Sequence, residues 1–256
     1  MPVLFITVLA MQKTGESMGK QEEILGVKVS NETYDSLKKQ LFHNIEEKKQ
    51  SFIVAVNPEK IIKAQEDEQL KELINTADYQ IPDGVGVLIA SKLQGGSISN
   101  RITGIDLMTV LLEEAAHKGA KVFLYGGKPG VADQASHEIS RRYPDIQIVG
   151  VLDGYIQEQD ILLEEINQAN ADILFVALGS PKQEEWIRAN KSKLNVSIFQ
   201  GVGGSFDVFA GNIKRAPALF RRFGLEWLYR LLAEPWRWKR QLALPMFLLK
   251  VLRARK

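Results

Sequence analysis

The segment that decides the fold is Ile173-Leu174-Phe175-Val176-Ala177-Leu178-Gly179-Ser180-Pro181-Lys182-Gln183-Glu184, an apolar run that leads into a turn. The run Ile173–Ala177 predicts a buried strand, and the pattern beyond Pro181 predicts a helix over Lys182–Asn190. A second apolar run, Ser197–Gln200, follows that helix. A strand, a helix and a second strand in this order are typical of a parallel sheet, because parallel strands need a crossover connection.

The same alternation extends over the segment from Ile24 to Gln200. We therefore predict an α/β fold, with a Rossmann-like, largely parallel sheet and flanking helices. The predicted strands are Phe52–Val56, Tyr79–Pro82, Lys121–Tyr125, Gln147–Val151, Ile173–Ala177 and Ser197–Gln200. The predicted helices are Tyr34–Lys48, Pro58–Asp67, Gln69–Asn75, Gly86–Leu93, Gly104–Lys118, Val131–Tyr143, Gln157–Asn170 and Lys182–Asn190.

The composition is that of a globular protein, with 45% hydrophobic and 25% charged residues in a chain of 256. There is no cysteine. Disulfides, thiolate catalysis and Cys-ligated metals are therefore excluded, and the absence of disulfides fits the cytoplasm. The apolar run Val3–Met11 is too short to cross a bilayer, which takes about 20 residues. We predict a disordered extension over residues 1–22 and an α/β catalytic domain over residues 23–212.

The C-terminal segment, residues 213–256, differs in character from the rest. It carries 12 Lys and Arg against two Glu, a net charge of +10, which leaves −8 for residues 1–212. Phe220, Phe223, Trp227 and Leu231 follow one another at helical spacing and predict one apolar stripe. Breaks are expected at Pro235 and near Pro245. We predict a helical, basic appendage that associates with an anionic membrane surface, because its aromatic residues alternate with arginines.

Five predicted strand ends carry turns rich in glycine and polar residues. A single turn of this kind needs glycine for its backbone alone, but open parallel sheets bind ligands at the carboxyl ends of their strands. Five together predict a polar cleft that suits phosphate. The turns are Asn57-Pro58-Glu59, Pro82–Gly86, Gly126–Gly130, Gly179–Glu184 and Gly201–Asp207.

Two nucleotide motifs are absent from these turns. Gly201-Val202-Gly203 resembles the start of a dinucleotide fingerprint, but Phe206 occupies the place of its last glycine. Lys128 follows glycines as in a P-loop, but Pro129 stands where a serine or threonine is needed for Mg²⁺. Hydride transfer and P-loop NTP hydrolysis are therefore not expected.

Asp83 is the candidate general base, because it follows a strand and lies between Pro82 and Gly84. The alternative, equally weighted on these residues alone, is a turn aspartate that caps the following helix. No Asp-x-Asp pair follows a strand, and the three histidines lie far apart in the sequence, so we expect neither a metal site nor a cofactor. A diphosphate leaving group would depend on helix N-termini and cationic side chains; the loop that begins at Gly126 and Gly127 is one such place.

The ordered set of these motifs resembles the WecG/TagA/CpsF glycosyltransferase family, with similarity from about Ile24 to the C-terminus. The segments that carry it are Asn57-Pro58-Glu59, Ile81–Gly86, Arg101-Ile102-Thr103-Gly104, Ala177–Glu184 and Gly201–Asp207. Lys214–Pro217, Glu226–Arg230 and Pro235–Arg240 look closest to the TagA branch. That resemblance implies transfer of N-acetylmannosamine from UDP to undecaprenyl-diphosphate-linked N-acetylglucosamine in wall teichoic acid synthesis, with inversion of the anomeric centre.

The resemblance also implies roles for individual residues. Asp83 would be the catalytic base, Gln183 would contact substrate, and Arg237 and Arg240 would reach the diphosphate. Ala55 departs from some relatives, which have a threonine there near the acceptor sugar. The remaining substrate-binding candidates lie in the matched motifs and in the glycine loop: Asn57, Arg101, Thr103, Gly126, Gly127, Gly203 and Gly204.

Three alternatives stay open. A basic tail also fits a nucleic-acid-binding or regulatory protein, although the aromatic content favours lipid and we expect no nucleic-acid partner. The tail could instead be an element that packs into the core or one that forms a dimer, and a dimer-forming tail would make the protein a homo-oligomer. A sister transferase would use an N-acetylmannosaminuronic acid or glucose donor. The expected partners are a UDP-sugar donor and a lipid-linked GlcNAc acceptor, and the expected location is the inner face of the cell membrane.

Overall fold

The computed structural model describes residues 21–233 and 243–254. Its strands are β1 (Gln21–Ile24), β2 (Val27–Ser30), β3 (Ser51–Val56), β4 (Tyr79–Pro82), β5 (Lys121–Gly126), β6 (Gln147–Leu152), β7 (Ile173–Ala177) and β8 (Ile198–Gly201). Its helices are α1 (Tyr34–Glu46), α2 (Pro58–Ala64), α3 (Glu68–Asn75), α4 (Val85–Leu93), α5 (Gly104–Lys118), α6 (Val131–Arg142), α7 (Gln159–Gln168), α8 (Lys182–Asn190), α9 (Ser205–Phe209), α10 (Ala218–Arg222), α11 (Glu226–Ala233) and α12 (Ala243–Ala254).

Strands β3 to β8 form one sheet in the order β4-β3-β8-β7-β5-β6, and every neighbouring pair is parallel. The predicted α/β fold is thus confirmed, and each of the six predicted strands is correct to within one residue at either end. Side chains alternate between the two faces of the sheet, as the pleat requires. Phe123 and Tyr125 pack into one core, whereas Val122 and Leu124 pack into the other.

The two cores divide the helices into two layers. Helices α2, α3, α4, α7, α8 and α12 pack on one face of the sheet, and α1, α5, α6 and α9 pack on the other. The helices that follow β3 and β7 therefore lie on one face, while the helix that follows β8, between them, lies on the opposite face. Such reversals open crevices at the carboxyl edge of a parallel sheet, where ligands bind.

An antiparallel hairpin, β1–β2, precedes the sheet and was not predicted. Its turn, Leu25-Gly26, has positive φ at both residues, the geometry that matches the twist of paired strands. The backbone N–H of Gln80 in β4 donates to Ser30 Oγ at 3.0 Å. This hydrogen bond connects the hairpin to the edge strand of the sheet. The hairpin begins at Gln21, so the described chain already has regular structure at the end of the predicted 1–22 extension.

The predicted apolar stripe of the tail is not one continuous helix. Helix α10 ends at Arg222 and α11 begins at Glu226, because Gly224 between them adopts φ +70°. The rings of Phe220 and Tyr229 meet edge to face across this break, with centroids 5.6 Å apart. The predicted break at Pro235 lies outside the described residues. Helix α12 is continuous from Ala243 to Ala254 and holds Pro245 in its first described turn, so the break predicted near Pro245 does not fall between these residues.

Helix α12 packs against α2 and α4 and completes the first core. Phe247 and Val251 are fully buried there, whereas Met246, Leu249 and Leu252 are exposed on the other side of the helix. The core-packing interpretation of the tail is therefore correct for this helix. Among residues 21–233 and 243–254, no helix combines the length and apolar character that crossing a bilayer requires.

Candidate active site at the carboxyl edge of the sheet

The turns after β3, β4, β5, β7 and β8 lie at one edge of the sheet, because all of these strands are parallel. Backbone hydrogen bonds hold neighbouring turns together. Asp83 N donates to Val56 O at 2.8 Å, Gly127 N donates to Ala177 O at 2.8 Å, and Val202 N donates to Val176 O at 2.9 Å. The sequence-predicted candidates on these turns are thus brought to the same edge.

Asp83 is partly exposed at the end of β4, one residue before the N-cap of α4. The cap itself is Gly84, whose φ of +103° is a conformation that residues with a side chain rarely adopt. Asn57 holds the neighbouring turn by capping α2, since its Oδ1 accepts from Lys60 N at 2.8 Å. Asp83 therefore lies, partly exposed, at the carboxyl edge of the sheet beside a turn that the Asn57 cap fixes.

The loop that contains Arg101 and Thr103 lies alongside the Asp83 turn, because Ile102 N donates to Pro82 O at 3.0 Å. Thr103 is the N-cap of α5 and also donates to Asp106 Oδ2 at 2.7 Å. The Arg101 guanidinium donates to the carbonyl of Arg221 at 3.0 Å and lies 3.4 Å from Glu226. In this structure Arg101 thus joins the loop to α10 and α11.

Gly126 and Gly127 form a turn that only glycine fits well. Gly126 has φ +120°, and a Cβ there would lie 2.6 Å from the backbone of Ala177. Gly127 O accepts from Gly154 N at 2.9 Å, which joins this turn to the loop after β6. The turn leads into the N-terminus of α6, whose first amides have no partners within the helix and favour an anion.

Gln183 is buried, with 4% of its surface exposed, at the start of α8. Its Oε1 accepts from Gly203 N at 3.0 Å. Gly203 has φ +53°, and Gly204 next to it is the N-cap of α9. Gln183 therefore fixes the turn after β8.

The described parts of the tail flank the Asp83 turn from two directions. A Cβ added to Gly224 would lie 3.1 Å from Val85, and a Cβ added to Gly86 would lie 2.6 Å from Leu244 of α12. Arg215 pairs with Asp106 at 2.6 Å and lies 3.7 Å from Glu226. The tail thus contacts the turn that carries the candidate base. Arg237 and Arg240 lie outside the described residues.

Tyr34 is a residue of this edge that sequence reasoning missed. Its hydroxyl accepts from Thr103 N at 3.0 Å, so it helps to hold the Arg101–Thr103 loop. Burial raises the pKa of Tyr34 above its usual value, the hydrogen bond from Thr103 lowers it, and the charges of Asp106 and Asp83 raise it. The phenol stays protonated at neutral pH. A tyrosine at the first position of α1 gives no local signal, because the loop that it contacts lies far along the chain.

Chemically, this edge offers a carboxylate, a buried amide, glycine turns and a helix N-terminus. Within the described residues no three His, Asp or Glu side chains converge as metal ligands would. A carboxylate beside exposed backbone amides can take a proton from a hydroxyl while the amides receive negative charge. This is the set of groups that a displacement at a sugar diphosphate uses.

Comparison with known proteins adds to this geometry. A family model described as "Glycosyl transferase WecG/TagA/CpsF family" matches residues 22–256. A protein of Bacillus subtilis (strain 168) is 41% identical over 214 residues, which covers 84% of each chain. A protein of Bacillus spizizenii (strain ATCC 23059 / NRRL B-14472 / W23) is 41% identical over 209 residues, covering 82% of this chain and 81% of the relative. Both relatives are named N-acetylglucosaminyldiphosphoundecaprenol N-acetyl-beta-D-mannosaminyltransferase. The described strands, the turns at their carboxyl ends and these matches together establish that the chain belongs to the WecG/TagA/CpsF family of glycosyltransferases.

Proposed function

We propose that this chain transfers N-acetylmannosamine from UDP-N-acetylmannosamine to N-acetylglucosaminyl-diphosphoundecaprenol and inverts the anomeric centre. The observation that carries the proposal is the 41% identity to two relatives that share this activity in their names, over more than 80% of each chain. The strand-edge geometry is compatible with this, because it offers the Asp83 carboxylate and groups suited to a diphosphate. The reaction would be an early step of teichoic acid linkage-unit synthesis.

In the proposed mechanism Asp83 takes the proton of the acceptor 4-hydroxyl as its oxygen attacks the anomeric carbon. The bond from that carbon to the UDP oxygen breaks, and UDP leaves with the electron pair. A single displacement inverts the centre and needs one base, without a second carboxylate as nucleophile. Gly126, Gly127 and the N-terminus of α6 would receive the developing charge of the diphosphate. Arg237 and Arg240 would add positive charge.

The remaining candidates would shape the substrate site. Asn57 and Thr103 hold the turns on either side of Asp83 through their caps. Arg101 joins that region to the tail, and Gln183, Gly203 and Gly204 define the turn after β8. We place these residues around the two sugars, with Ala55 beside the acceptor.

A panel of donors tests the activity. The purified protein is incubated with a short-chain lipid-diphosphate-GlcNAc acceptor and, separately, UDP-N-acetylmannosamine, UDP-N-acetylmannosaminuronic acid or UDP-glucose. We expect a mass increase of one N-acetylhexosamine with the first donor and no product with the other two. Product from either of the other donors alone would identify a sister transferase and refute the proposed donor.

We also propose that α10–α12 hold the protein on the inner face of the cell membrane, with UDP-sugar supplied from the cytoplasm. Large apolar side chains are exposed on these helices and at the C-cap of α10, although the tail carries a net charge of +10. Apolar side chains beside basic residues suit an anionic lipid surface, to which each cation adds about 1 kcal/mol. The exposed apolar residues are Leu219, Phe223, Leu232, Met246, Leu249 and Leu252.

Replacing Met246, Leu249 and Leu252 together by Ser is expected to weaken binding to phosphatidylglycerol vesicles at least tenfold. These side chains are exposed, so the fold should be retained, while the apolar area available to the bilayer falls. Vesicle flotation measures the effect, and Ile161→Ser on α7, which is also exposed, is the control. Unchanged flotation of the triple variant would refute the membrane role of α12. Firm binding of the wild type to RNA or DNA in a gel-shift assay, without flotation, would favour a nucleic-acid partner.

A further inference from the structure

A buried ion pair joins helices α2 and α8, and the mechanism proposed above does not use it. Lys60 Nζ is 2.7 Å from Glu184 Oε1, and the two side chains are 10% and 1% exposed. Lys60 is the third residue of α2 and Glu184 is the third residue of α8, so each lies in the first turn of its helix. Their strands, β3 and β7, flank β8 in the sheet. The pair thus joins the two helices that follow the strands on either side of β8.

Stability alone does not account for this pair. Two charges lose their hydration when they are buried, and apolar residues of similar volume often serve as well or better. The Glu184 carboxylate also has a partner outside the ion pair, because its Oε1 accepts a hydrogen bond from Gln183 Nε2 at 3.1 Å. Glu184 Oε2 is buried and accepts no hydrogen bond from the described residues. Lys60 and Gln183 are therefore the groups that set the position of the carboxylate.

The hydrogen bonds continue from the carboxylate to the turn after β8. Gln183 Nε2 donates to Glu184 while Gln183 Oε1 accepts from Gly203 N. Reversing the amide would put its NH₂ against the Gly203 N–H and its oxygen against the carboxylate, so this network permits one orientation. The amide also lies over Gly201, where a Cβ would be 2.5 Å from Nε2.

We propose that Glu184 is a positioning residue for the transfer reaction and that Lys60 balances its buried charge. The Glu184 carboxylate orients the Gln183 amide, and the amide oxygen holds the N–H of Gly203 and with it the turn Gly201–Gly204. The role of this turn in turnover rests on the proposed function. The orientation of the turn by the Glu184 and Gln183 side chains can be measured without substrate.

Two double variants separate orientation from charge. Lys60→Met with Glu184→Gln removes both charges but keeps an acceptor for Gln183 Nε2. Lys60→Met with Glu184→Leu removes the charges and the acceptor together. Neither leaves an unpaired buried charge, which is the change that destabilises most. We expect the two variants to have similar midpoints of thermal unfolding.

The first measurement is hydrogen exchange of the Gly203 amide in the substrate-free protein. We expect wild-type protection in the Met/Gln variant and at least tenfold faster exchange in the Met/Leu variant. The second measurement is kcat, with whichever donor the wild type turns over. We expect kcat of the Met/Gln variant within about threefold of wild type and a loss of about 10–100-fold in the Met/Leu variant, since small misplacements of a site cost rate.

Equal exchange of Gly203 in both variants, or equal kcat per folded molecule, would overturn the proposal. A Met/Gln variant as impaired as the Met/Leu variant would also overturn it, because charge and not orientation would then matter. If the Met/Leu variant does not fold, Gly201→Ala replaces it, since the added methyl displaces the Gln183 amide and leaves the ion pair intact. Wild-type kcat in Gly201→Ala would refute the proposal. Failure of the wild type with UDP-N-acetylmannosamine would instead refute the proposed donor.

Discussion

Replacing Asp83 by Asn is expected to lower kcat by about 10²–10⁴-fold, the usual contribution of a general base. This corresponds to about 3–5 kcal/mol of transition-state stabilisation. Asn keeps the size of the side chain, and the backbone N–H of residue 83 can still donate to Val56 O. The fold and the binding of UDP should therefore be retained while the proton acceptor is lost. Initial rates under saturating donor and acceptor measure the effect.

Asp67→Asn is the matched control for this change. Asp67 is the N-cap of α3 and its side chain accepts from Leu70 N, a role that Asn performs equally well. The same chemical replacement outside the candidate site should thus leave kcat at the wild-type value. The kcat values of both variants are compared with that of the wild type once thermal unfolding shows that all three proteins have the same midpoint. Turnover near the wild-type rate in correctly folded Asp83→Asn protein would remove Asp83 from the role of base.

Replacing Phe247 by Ala is expected to lower the free energy of unfolding by about 3–5 kcal/mol, as for other buried phenylalanines. Phe247 is fully buried in the core formed with α2 and α4. The neighbouring helix position Leu249 is 56% exposed, so Leu249→Ala should change the free energy of unfolding by less than about 0.5 kcal/mol. Urea unfolding followed by circular dichroism measures both variants.

An equal, small effect of both substitutions would contradict the packing of α12 against the core. The burial of Phe247 also means that deleting the tail would not separate its roles in folding and in activity. Removing the chain from Ile213 onward would take Phe247 and Val251 out of the core, so loss of activity in such a truncation would report unfolding. Point substitutions at Arg237 and Arg240 test the proposed diphosphate contacts without this effect.

Much of the fold could be predicted because the sheet is buried on both sides. Strands such as Ile173–Ala177 then read as short apolar runs, and the helices between them have their own periodicity. The strand order could not be predicted, because no local sequence pattern indicates that β8 lies between β3 and β7 in the sheet. The hairpin β1–β2 was missed because two strands of four residues around a Leu-Gly turn give only a weak pattern.

The site was predictable in part for a similar reason. Turns such as Pro82–Gly86 stand out, since glycine and an acidic residue directly after a strand indicate an exposed carboxyl end. The partners of these turns were not predictable. Arg101 contacts Glu226 and Gln183 contacts Gly203 only because the fold brings distant segments together. The spacing of residues along the sequence carries no information on such pairs. Lys60 and Glu184 were also missed, because charged residues are expected to be exposed and both are buried.

The proposed reaction is a direct displacement at the donor's anomeric carbon that gives a β-linked N-acetylmannosaminyl product. The most direct measurement is the nuclear magnetic resonance spectrum of the disaccharide, released from the lipid after reaction of wild-type protein with UDP-N-acetylmannosamine. We predict a single product in which N-acetylmannosamine is joined through an inverted, β-configured anomeric centre to the 4-hydroxyl of GlcNAc. An α-configured product would refute direct displacement at the donor, and the absence of product would refute N-acetylmannosamine as the sugar transferred.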